Sequence, residues 1–488
     1  MIPFGEFMPD LPDFQNPGAT IADNVIPTPM GYRELKSLTA FSTTPLSARC
    51  QGTGAGQATD GSVSLFAGDA TKLYKLVGKA FTETDTGFTT SEDGIWRFGQ
   101  FGDTMIVTNY ADNPQKFVLG TSTEWEDLGG SPPKARHIAI VRGFVFLGNL
   151  VESGTGYQNR VRWSGLDNSE TWAASQTTLS DFQDFVGSGG SVMALVGGEY
   201  GIVMLERSIF RLDFQGTPLI FSASEISQTR GTPVSGSVAA LGRTVFFYSD
   251  DGFYVLEDGS KVTPIGANKI DRFFEDDFDI AYASRVTSAI DPINHLYILS
   301  YPGSGHSSGT PNKLIIYDWA NNKWSTAAFQ HELIARSLSA GETLETLDTI
   351  AGDDGIDGLA FSLDSRAWSG GSVLLTAFNT SHNLAYFTGT GLAAKIETTE
   401  FQPIAGRRSF INKVRPIFEG SSATTTVQMA GRNIGTATAS FGSAVSLNTT
   451  GDAPVREDAR YHKVRVNITG GFDHVQGVDV TWKGRGFR

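Results

Sequence analysis

Residues 244–259 read TVFFYSDDGFYVLEDG, two runs of β-branched and aromatic residues separated by an Asp-Gly pair. Such residues favour strands, and the short spacing between the runs leaves room only for a tight turn. In that turn Asp251 offers a side-chain acceptor to nearby backbone donors, while Gly252 tolerates a positive φ. The stretch therefore predicts a β-hairpin. The same Ser-x-Asp-Gly pattern at 91–94 and the Asn-Asn pair in YDWANNKWS, residues 317–325, predict two more hairpins.

Strand-like runs centred on an aromatic residue recur along most of the chain. Their seven anchors, 43, 46, 47, 44, 63 and 70 residues apart, are Tyr74, Phe117, Trp163, Phe210, Tyr254, Tyr317 and Phe387. A period in the mid-forties without intervening helices is typical of one four-stranded propeller blade. Because one blade cannot bury both faces of its sheet, such repeats must stack around a central channel. We therefore predict an all-β fold with a β-propeller of six to eight blades, and we expect the functional surface to lie at its channel.

Proline content, repeat spacing and charge divide the chain into three regions. We predict an extended Pro-rich N-terminal arm over 1–60, the propeller over 61–395 with insertions near 255–317 and 318–387, and a basic β-sandwich-like domain over 396–488. The arm follows from seven prolines, each of which fixes φ and lacks a backbone donor. The best helix candidate, KIDRFFEDDFDIAYASRV at 269–286, lies in the first insertion.

The charge of the chain is distributed unevenly. The net charge is −14 with a pI near 5.0, yet residues 403–488 carry 12 Lys and Arg against six Asp and Glu. An acidic chain is a poor candidate for wrapping nucleic acid, which needs a basic face. A basic terminal region on such a chain indicates that this end meets an acidic surface.

Several classes of protein are disfavoured by residue types that the chain lacks. Cys50 is the single cysteine, which excludes an internal disulfide framework and a Cys-based zinc site. The N-terminus has no basic and apolar signal pattern, and no stretch approaches about 18 consecutive apolar residues. We therefore expect a soluble protein without a membrane-spanning segment, made in a reducing cytoplasm.

Two motifs have the form of a chemical site. Residues 305–309, GHSSG, match the G-x-S-x-G nucleophile elbow, but that mechanism requires a strained turn between a strand and a helix. Here the motif joins two strand-like runs, which predicts a flexible hairpin loop. Asp353, Asp354 and Asp357 lack the spacing of an EF-hand and predict a solvated turn. We expect no enzymatic activity, no cofactor and no metal site.

Three parts of the chain resemble the tail-hub or nozzle proteins of short-tailed bacteriophages, the group of packaged-DNA stabilisation proteins. They are NPGATIADNVIPTPMGYREL at 16–35, the region 161–266 that begins VRWSGLDNSETW, and ARYHKVRVNITGGFDHVQGVDVTWKGRGFR at 459–488. The resemblance implies a propeller subunit in a homohexameric ring below a portal-side adaptor, located in the virion tail. It also implies that double-stranded DNA passes through the ring without sequence-specific binding, and that tail fibres or a needle attach outside.

Four basic residues near the C-terminus form the candidate docking surface for the adaptor: Arg456, Arg460, Lys463 and Arg465. Lys463 and Arg465 are two apart in a strand-like run, so they project from one face. The alternative is an ordinary solvated strand face. Two other functions stay open from the sequence: a kelch- or WD-like interaction propeller, suggested by YDWANNKWS, and a glycan-active propeller, suggested by Asp-Gly turns that resemble the Asp-boxes of sialidases.

Overall fold

The structure, a computed structural model, describes the chain except residue 15, most of residues 340–370, residues 421–422 and residues 487–488. Asp353 and Asp354 therefore lie outside the described residues. The described part consists mainly of antiparallel strands, with one α-helix, α1 (Asp271–Asp277), and 3-10 turns at Ser235–Ser237 and Ile280–Arg285. The predicted all-β fold is confirmed.

Five short strands precede the propeller in the chain. They are β1 (Ile2–Pro3), β2 (Ala19–Asp23), β3 (Val25–Thr28), β4 (Gly31–Glu34) and β5 (Thr39–Ala40).

Seven four-stranded antiparallel blades follow within the described residues, and the first six are each built from consecutive strands. The first three are β6 (Gly52–Gln57), β7 (Val63–Gly68), β8 (Lys72–Val77) and β9 (Ala80–Thr86); β10 (Arg97–Phe101), β11 (Thr104–Thr108), β12 (Gln115–Val118) and β13 (Glu126–Asp127); and β14 (Lys134–Val141), β15 (Phe144–Glu152), β16 (Thr155–Trp163) and β17 (Asp181–Asp184). The fourth and fifth are β18 (Val192–Val196), β19 (Gly201–Leu205), β20 (Ile209–Phe214) and β21 (Phe221–Ser227); and β22 (Ala239–Leu241), β23 (Thr244–Ser249), β24 (Gly252–Glu257) and β25 (Lys261–Pro264).

The last two blades depart from this pattern. Blade six consists of β26 (Thr287–Asp291), β27 (Leu296–Tyr301), β28 (Lys313–Asp318) and β29 (Lys323–Ala328), and its sheet continues beyond the propeller. Blade seven has only three strands of its own, β30 (Leu333–Leu338), β31 (Val373–Phe378) and β32 (Leu384–Tyr386), and takes β5 as its fourth. The N-terminal segment therefore completes the ring.

The first strand of each blade lies at the centre of the propeller. Successive first strands contact each other in two series. In the first series β6 contacts β10, β10 contacts β14 and β14 contacts β18; in the second β22 contacts β26, β26 contacts β30 and β30 contacts β6. Ala194 of β18 and Ala240 of β22 share one apolar cluster, which connects the two series. Aromatic rings fill the seams between blades, as where Phe146 of blade three packs edge-on against Phe221 of blade four at 5.0 Å. Rings of this size dominate the energetics of such a core.

The aromatic repeat corresponds to one particular strand of the blade. The first six anchors lie in the third strands β8, β12, β16, β20, β24 and β28, and Phe387 directly follows the third strand of blade seven. The first wide spacing arises from residues 265–286, which carry α1 between blades five and six and confirm the helix candidate. The second wide spacing includes residues 340–370, most of which lie outside the described residues.

Two of the three predicted hairpins are confirmed and one is wrong. Ser249 pairs with Gly252 across the turn from β23 to β24, and Asp318 pairs with Lys323 between β28 and β29. Gly252 has a φ of 132°, and a Cβ there would collide with the Asp271 carboxylate. Residues 91–94 do form a turn, but β9 and β10 on either side belong to different blades, so the turn connects sheets instead of closing a hairpin.

The C-terminal strands and the N-terminal arm form a second module beside the propeller. Its C-terminal strands are β33 (Ala394–Thr398), β34 (Ser409–Glu419), β35 (Thr424–Arg432), β36 (Ser440–Phe441), β37 (Val445–Ser446), β38 (Glu457–Ala459), β39 (Tyr461–Thr469) and β40 (His474–Gly484). One sheet has the order β3-β4-β40-β34-β38, with β1 also on β40. The other sheet continues from blade six: β2 lies between β29 and β33, followed by β39, β35 and β36, and β37 also pairs with β35.

Module boundaries in the structure differ from those that composition predicts. The propeller begins at β6, before residue 61, and most of residues 255–317 is ordinary blade, because β25 to β28 occupy it. The proline-rich segment, predicted as an extended arm that lies on other structure, does lie on the C-terminal sheets. Its strands β1 to β4 pair inside the C-terminal sheets, and Phe4, Phe7 and Tyr32 are buried in the same apolar cluster as Val466.

Candidate ligand site at the channel mouth

The connections that lead into the first strands meet on one face of the propeller, around a cavity of about 510 Å³. Its walls include the connection between blades one and two at 89–95, the ends of the connections before β18 and β22, and residues just before β26. A second cavity of about 460 Å³ lies between β10, β14, β18 and β22. Both cavities share Arg97, His137 and Ser235 in their walls, so the two lie next to each other.

Arg97 is the first residue of β10 and forms part of the wall of both cavities. Its Nη2 donates a hydrogen bond to Ser235 Oγ at 3.0 Å. A guanidinium has five N–H donors, and within the described residues Arg97 makes no ion pair with a carboxylate. Burial lowers the pKa of Arg97 because desolvation penalises its charge. The wall therefore contains an arginine without an anionic partner in the described chain.

Arg136 of β14 adds a second guanidinium to the cavity wall. Its Cζ lies 4.0 Å from the centre of the Tyr110 ring, a cation–π contact that orients the side chain while leaving it solvent-exposed. The neighbouring His137 is buried, and its pKa lies well below the ordinary value, first because of burial and then because of the nearby Arg97 and Arg136 charges. His137 is therefore neutral near pH 7, and the positive charge at this place comes from the arginines.

Two further arginines lie beside the same mouth. Arg49 precedes β6 and donates to the carbonyls of Cys50 and Glu92. Burial, followed by the nearby charge of Arg285, lowers the pKa of Arg49 to about 10. Arg285 precedes β26, and its Nε donates to Asp93 Oδ1 at 3.2 Å. Asp93 is the one carboxylate among the described residues of the cavity lining, so positive charge exceeds negative charge here.

A buried amide in the same lining has an unused acceptor. Asn149 is only 5% exposed and sits in a bulge of β15 with a φ of 57°. Its Nδ2 donates to the Val192 carbonyl at 3.2 Å, whereas its Oδ1 has no hydrogen-bond partner among the described residues. This oxygen is closed off from the cavity, so it is a buried acceptor of the wall that no donor in the open cavity reaches. The polar groups that the cavity does offer, besides the arginines, belong to other lining residues such as Asn109, Gln158 and Ser191.

Sequence reasoning did not find this cluster. Arg49, Arg97, Arg136 and Arg285 come from four different blades and are far apart in the chain. The sequence signal that could have revealed these residues is an arginine that recurs at or just before the first strand of a blade.

The GHSSG loop connects β27 to β28, two strands of one sheet, as the sequence analysis predicted. His306 Nδ1 accepts a hydrogen bond from the backbone N–H of Gly309 at 3.0 Å, so its Nε2 carries the proton and donates to Asp279 Oδ2 at 3.0 Å. With both ring nitrogens engaged, His306 cannot take a proton from Ser307 in this arrangement. Across the part of the chain that the structure describes, no group of three or more His, Cys, Asp or Glu could hold a metal ion.

The four predicted docking residues do not form one free surface. Lys463 is 8% exposed and its Nζ contacts Glu397 Oε1 at 2.6 Å and Asp13 Oδ2 at 3.1 Å. Arg465 shares the same face, as predicted, and its Nη2 lies 2.8 Å from Glu397 Oε2. Glu397 of β33, the neighbouring strand in the same sheet, binds both charges, so neither is free for another protein and the docking assignment of these two residues is wrong.

Arg456 and Arg460 are placed differently from the other two. Arg456 is exposed, directly before β38, whereas Arg460 is half-buried between β38 and β39. Docking through Arg456 and Arg460 stays a prediction.

No protein-family model and no curated protein matches the chain. Solved structures that resemble it include the extracellular domain of the putative one component system BT4673 from B. thetaiotaomicron, with a TM-score of 0.41, 8% identity and coverage of 85% of this chain. The chain spans 46% of the length of that structure. The Pan2 WD40 domain of Neurospora crassa has a TM-score of 0.38 and 8% identity, over 72% of this chain and 95% of that one. The propeller assignment rests on the chain's own sheet topology. Among the described residues, no helix has the length and apolar character to cross a membrane.

Proposed function

We propose that this chain is a structural subunit of the ring-shaped tail nozzle, or hub, of a short-tailed bacteriophage. In that role six copies surround the path along which DNA is retained and then ejected. The ring docks on a portal-side adaptor and carries fibres or a needle. The subunit acts by shape and assembly, so the proposal requires no reaction and no cofactor.

One observation carries the proposal. The two terminal stretches of the phage resemblance, residues 16–35 and 459–488, come together in one module, where β4 pairs with β40 and β2 lies one strand away from β39. The central stretch, 161–266, runs from the end of blade three through blades four and five. The resemblance therefore covers one connected body, although its parts are separated in sequence.

The connection between the modules suits a ring subunit. Because β2 joins the outer strand of blade six to β33, propeller and terminal module share one continuous sheet. Head-to-tail contacts close into a ring only when each subunit holds its two interfaces at a fixed rotation. A rigid junction of this kind supplies that fixed rotation.

The end of β40 is a better docking surface than the predicted arginine strand. Trp482 has 43% of its surface exposed, and Lys483 and Arg485 beside it are exposed as well. Exposed tryptophan with neighbouring basic residues is a composition typical of interface hot spots. An adaptor with an acidic rim would contact both the Trp482 side chain and the positive charges of Lys483 and Arg485.

The proposal is tested by the position of this chain in assembled particles. Phage particles carrying a tagged copy should show six copies around the tail axis in a cryo-EM reconstruction. A trimeric spike, or particles that lack the chain, would contradict the proposal. Ser307→Ala should leave assembly and infection unchanged, since no step depends on a nucleophile.

Docking through β40 is tested separately with paired charge reversals. Lys483→Glu with Arg485→Glu should reduce incorporation of the chain into tails, because repulsion from an acidic rim replaces attraction. The control is Arg243→Glu with Lys261→Glu, the same charge change on exposed positions of blade five. Equal incorporation of both double variants would place the docking surface elsewhere.

A further inference from the structure

We propose that the cavity at the channel mouth binds a small hydroxylated molecule through an oxyanion group, either a carboxylate or a phosphate. Arg97 and Arg136 bind the oxyanion, and the polar lining residues Asn109, Gln158 and Ser191 bind hydroxyls of the ligand. This inference does not depend on the nozzle proposal, because it concerns a single propeller.

Charge is the first argument. The chain as a whole has a net charge of −14, yet Arg97 and Arg136 line this cavity against Asp93, the one carboxylate among its described lining residues. Asp93 is itself paired with Arg285. Arg97 is partly out of water and has no ion pair in the described chain, which raises the free energy of the empty site. An anion bound to Arg97 removes that penalty.

Geometry is the second argument. The planar fork of a guanidinium matches carboxylate and phosphate oxygens with two parallel hydrogen bonds. Arg97 is held by Ser235, and Arg136 lies against the Tyr110 ring, so both forks are oriented before a ligand arrives. Pre-organised donors lose less entropy on binding than free side chains do.

The cavity also limits the class of ligand. A volume of about 510 Å³ lies within the range of small-molecule sites and is too small for a nucleic-acid duplex. Asn109, Gln158 and Ser191 add polar groups to the lining, which suits a ligand that carries hydroxyls. Sugar acids and sugar phosphates combine the necessary oxyanion, hydroxyl groups and size.

The test is calorimetric titration of the full chain with glucuronate, glucose 6-phosphate and glucose. We expect saturable one-to-one binding of at least one charged sugar, and none of glucose at the same millimolar concentrations. The two charged sugars distinguish the carboxylate from the phosphate source of the oxyanion. Arg97→Gln with Arg136→Gln should weaken that binding by at least about tenfold, since two charge-assisted contacts are lost.

Arg243→Gln is the matched control, because it removes one exposed arginine of blade five, away from the cavity. It should bind as the unaltered chain does. Arg136→Gln alone changes an exposed side chain and keeps the test valid if the double variant fails to fold. The proposal is overturned if the unaltered chain binds neither charged sugar, if glucose binds equally well, or if only an oligoglutamate peptide binds.

Discussion

Several buried charges among the described residues are paired, and the pairs connect strands that are distant in sequence. Glu397 of β33 is 3% exposed and receives Lys463 and Arg465 from β39 and the Thr20 hydroxyl from β2. A carboxylate at such a site is tolerated only with partners of this kind. The charge of Lys463 therefore stabilises the fold instead of a contact with another protein.

Lys463→Ala should lower the free energy of unfolding by about 3 kcal/mol, because it leaves a buried carboxylate with fewer partners. Arg465 and Thr20 remain bound to Glu397, which keeps the loss near the lower end of the range for broken buried pairs. Urea denaturation measures the change. Arg456→Ala, at an exposed position of the same module, should shift the value by no more than about 0.5 kcal/mol. Equal effects would mean that the Glu397 pairing does not stabilise the fold.

His331 should make the folded state sensitive to acid. It is fully buried, its Nδ1–H donates to the Phe329 carbonyl, and its Nε2 accepts from the Ser300 hydroxyl at 2.6 Å. Burial lowers the pKa of His331 from 6.5 to about 4. The unfolded chain therefore takes up the proton first as pH falls. The contribution of neutral His331 to the free energy of unfolding is fully present above pH 6.5. About 3 kcal/mol of it is lost as pH falls from 6.5 towards 4.

Melting temperatures across that pH range test the prediction. His331→Gln should remove the part of the acid-induced loss of stability that comes from protonation of the His331 imidazole. His295→Gln, at an exposed turn between β26 and β27, should retain the full loss. If the profile of His331→Gln matched that of the unaltered chain between pH 6.5 and 4, the buried ring would not be the cause.

Among the secondary-structure elements, the strands of the N-terminal segment are unusual because they complete sheets formed by distant parts of the chain. β2 covers the outer edge of blade six, where Asp23 pairs with Thr326, and then pairs antiparallel with β33. β5 supplies the outer strand of blade seven, where the backbone N–H of Phe41 donates to the Leu384 carbonyl at 2.7 Å. Exposed edge strands invite aggregation, so one segment protects two edges.

A chain that lacks residues 1–42 should aggregate, and a peptide of residues 18–42 should restore its solubility by binding both edges. The measurement is light scattering during refolding, with and without peptide. A matched peptide with Ala22→Asp should fail, because Ala22 is fully buried in the shared cluster and a carboxylate there has no partner. A soluble, monomeric truncated chain without any peptide would contradict this role.

In the molecule as a whole, the propeller is closed at one place, inside blade seven, by the pairing of two strands that are distant in the chain. Blade seven is closed by the pairing of Thr39 with Tyr386 and of Ala40 with Ala385, by hydrogen bonds from residues 41–46 to residues 382–384, and by the packing of Phe41 on Tyr386. Every other blade takes its four strands from one stretch of chain. Opening of the propeller should therefore start between β5 and β32.

A disulfide between these two strands, Ala40→Cys with Ala385→Cys, should raise the melting temperature under oxidising conditions. The two alanines form a non-hydrogen-bonded pair, in which side chains approach most closely. The bond would close a very long loop, for which the stabilisation is on the order of 4 kcal/mol. The native Cys50 is buried, so it should not compete. Reduction should return the melting temperature to its original value, and no difference between the two states would mean that opening begins elsewhere.

The sequence by itself determined the class of fold and the position of the repeats. Alternation and Asp-Gly turns are local properties, and the aromatic spacing follows from a unit that is repeated in sequence. For that reason the first six anchors fell on third strands and α1 on its predicted segment. The turn at 91–94 was misassigned because local sequence does not reveal whether the flanking strands share a sheet.

Only the tertiary structure decided which residues meet. Ring closure by β5, the pairing of the N-terminal arm with β33 and β40, and the arginine cluster all join residues from distant parts of the chain. The same holds for Lys463, whose charge looks free in the sequence because Glu397 is 66 residues earlier. Contacts of this kind depend on the order in which sheets stack around the channel, and burial then converts surface-type residues into internal ion pairs or a ligand site.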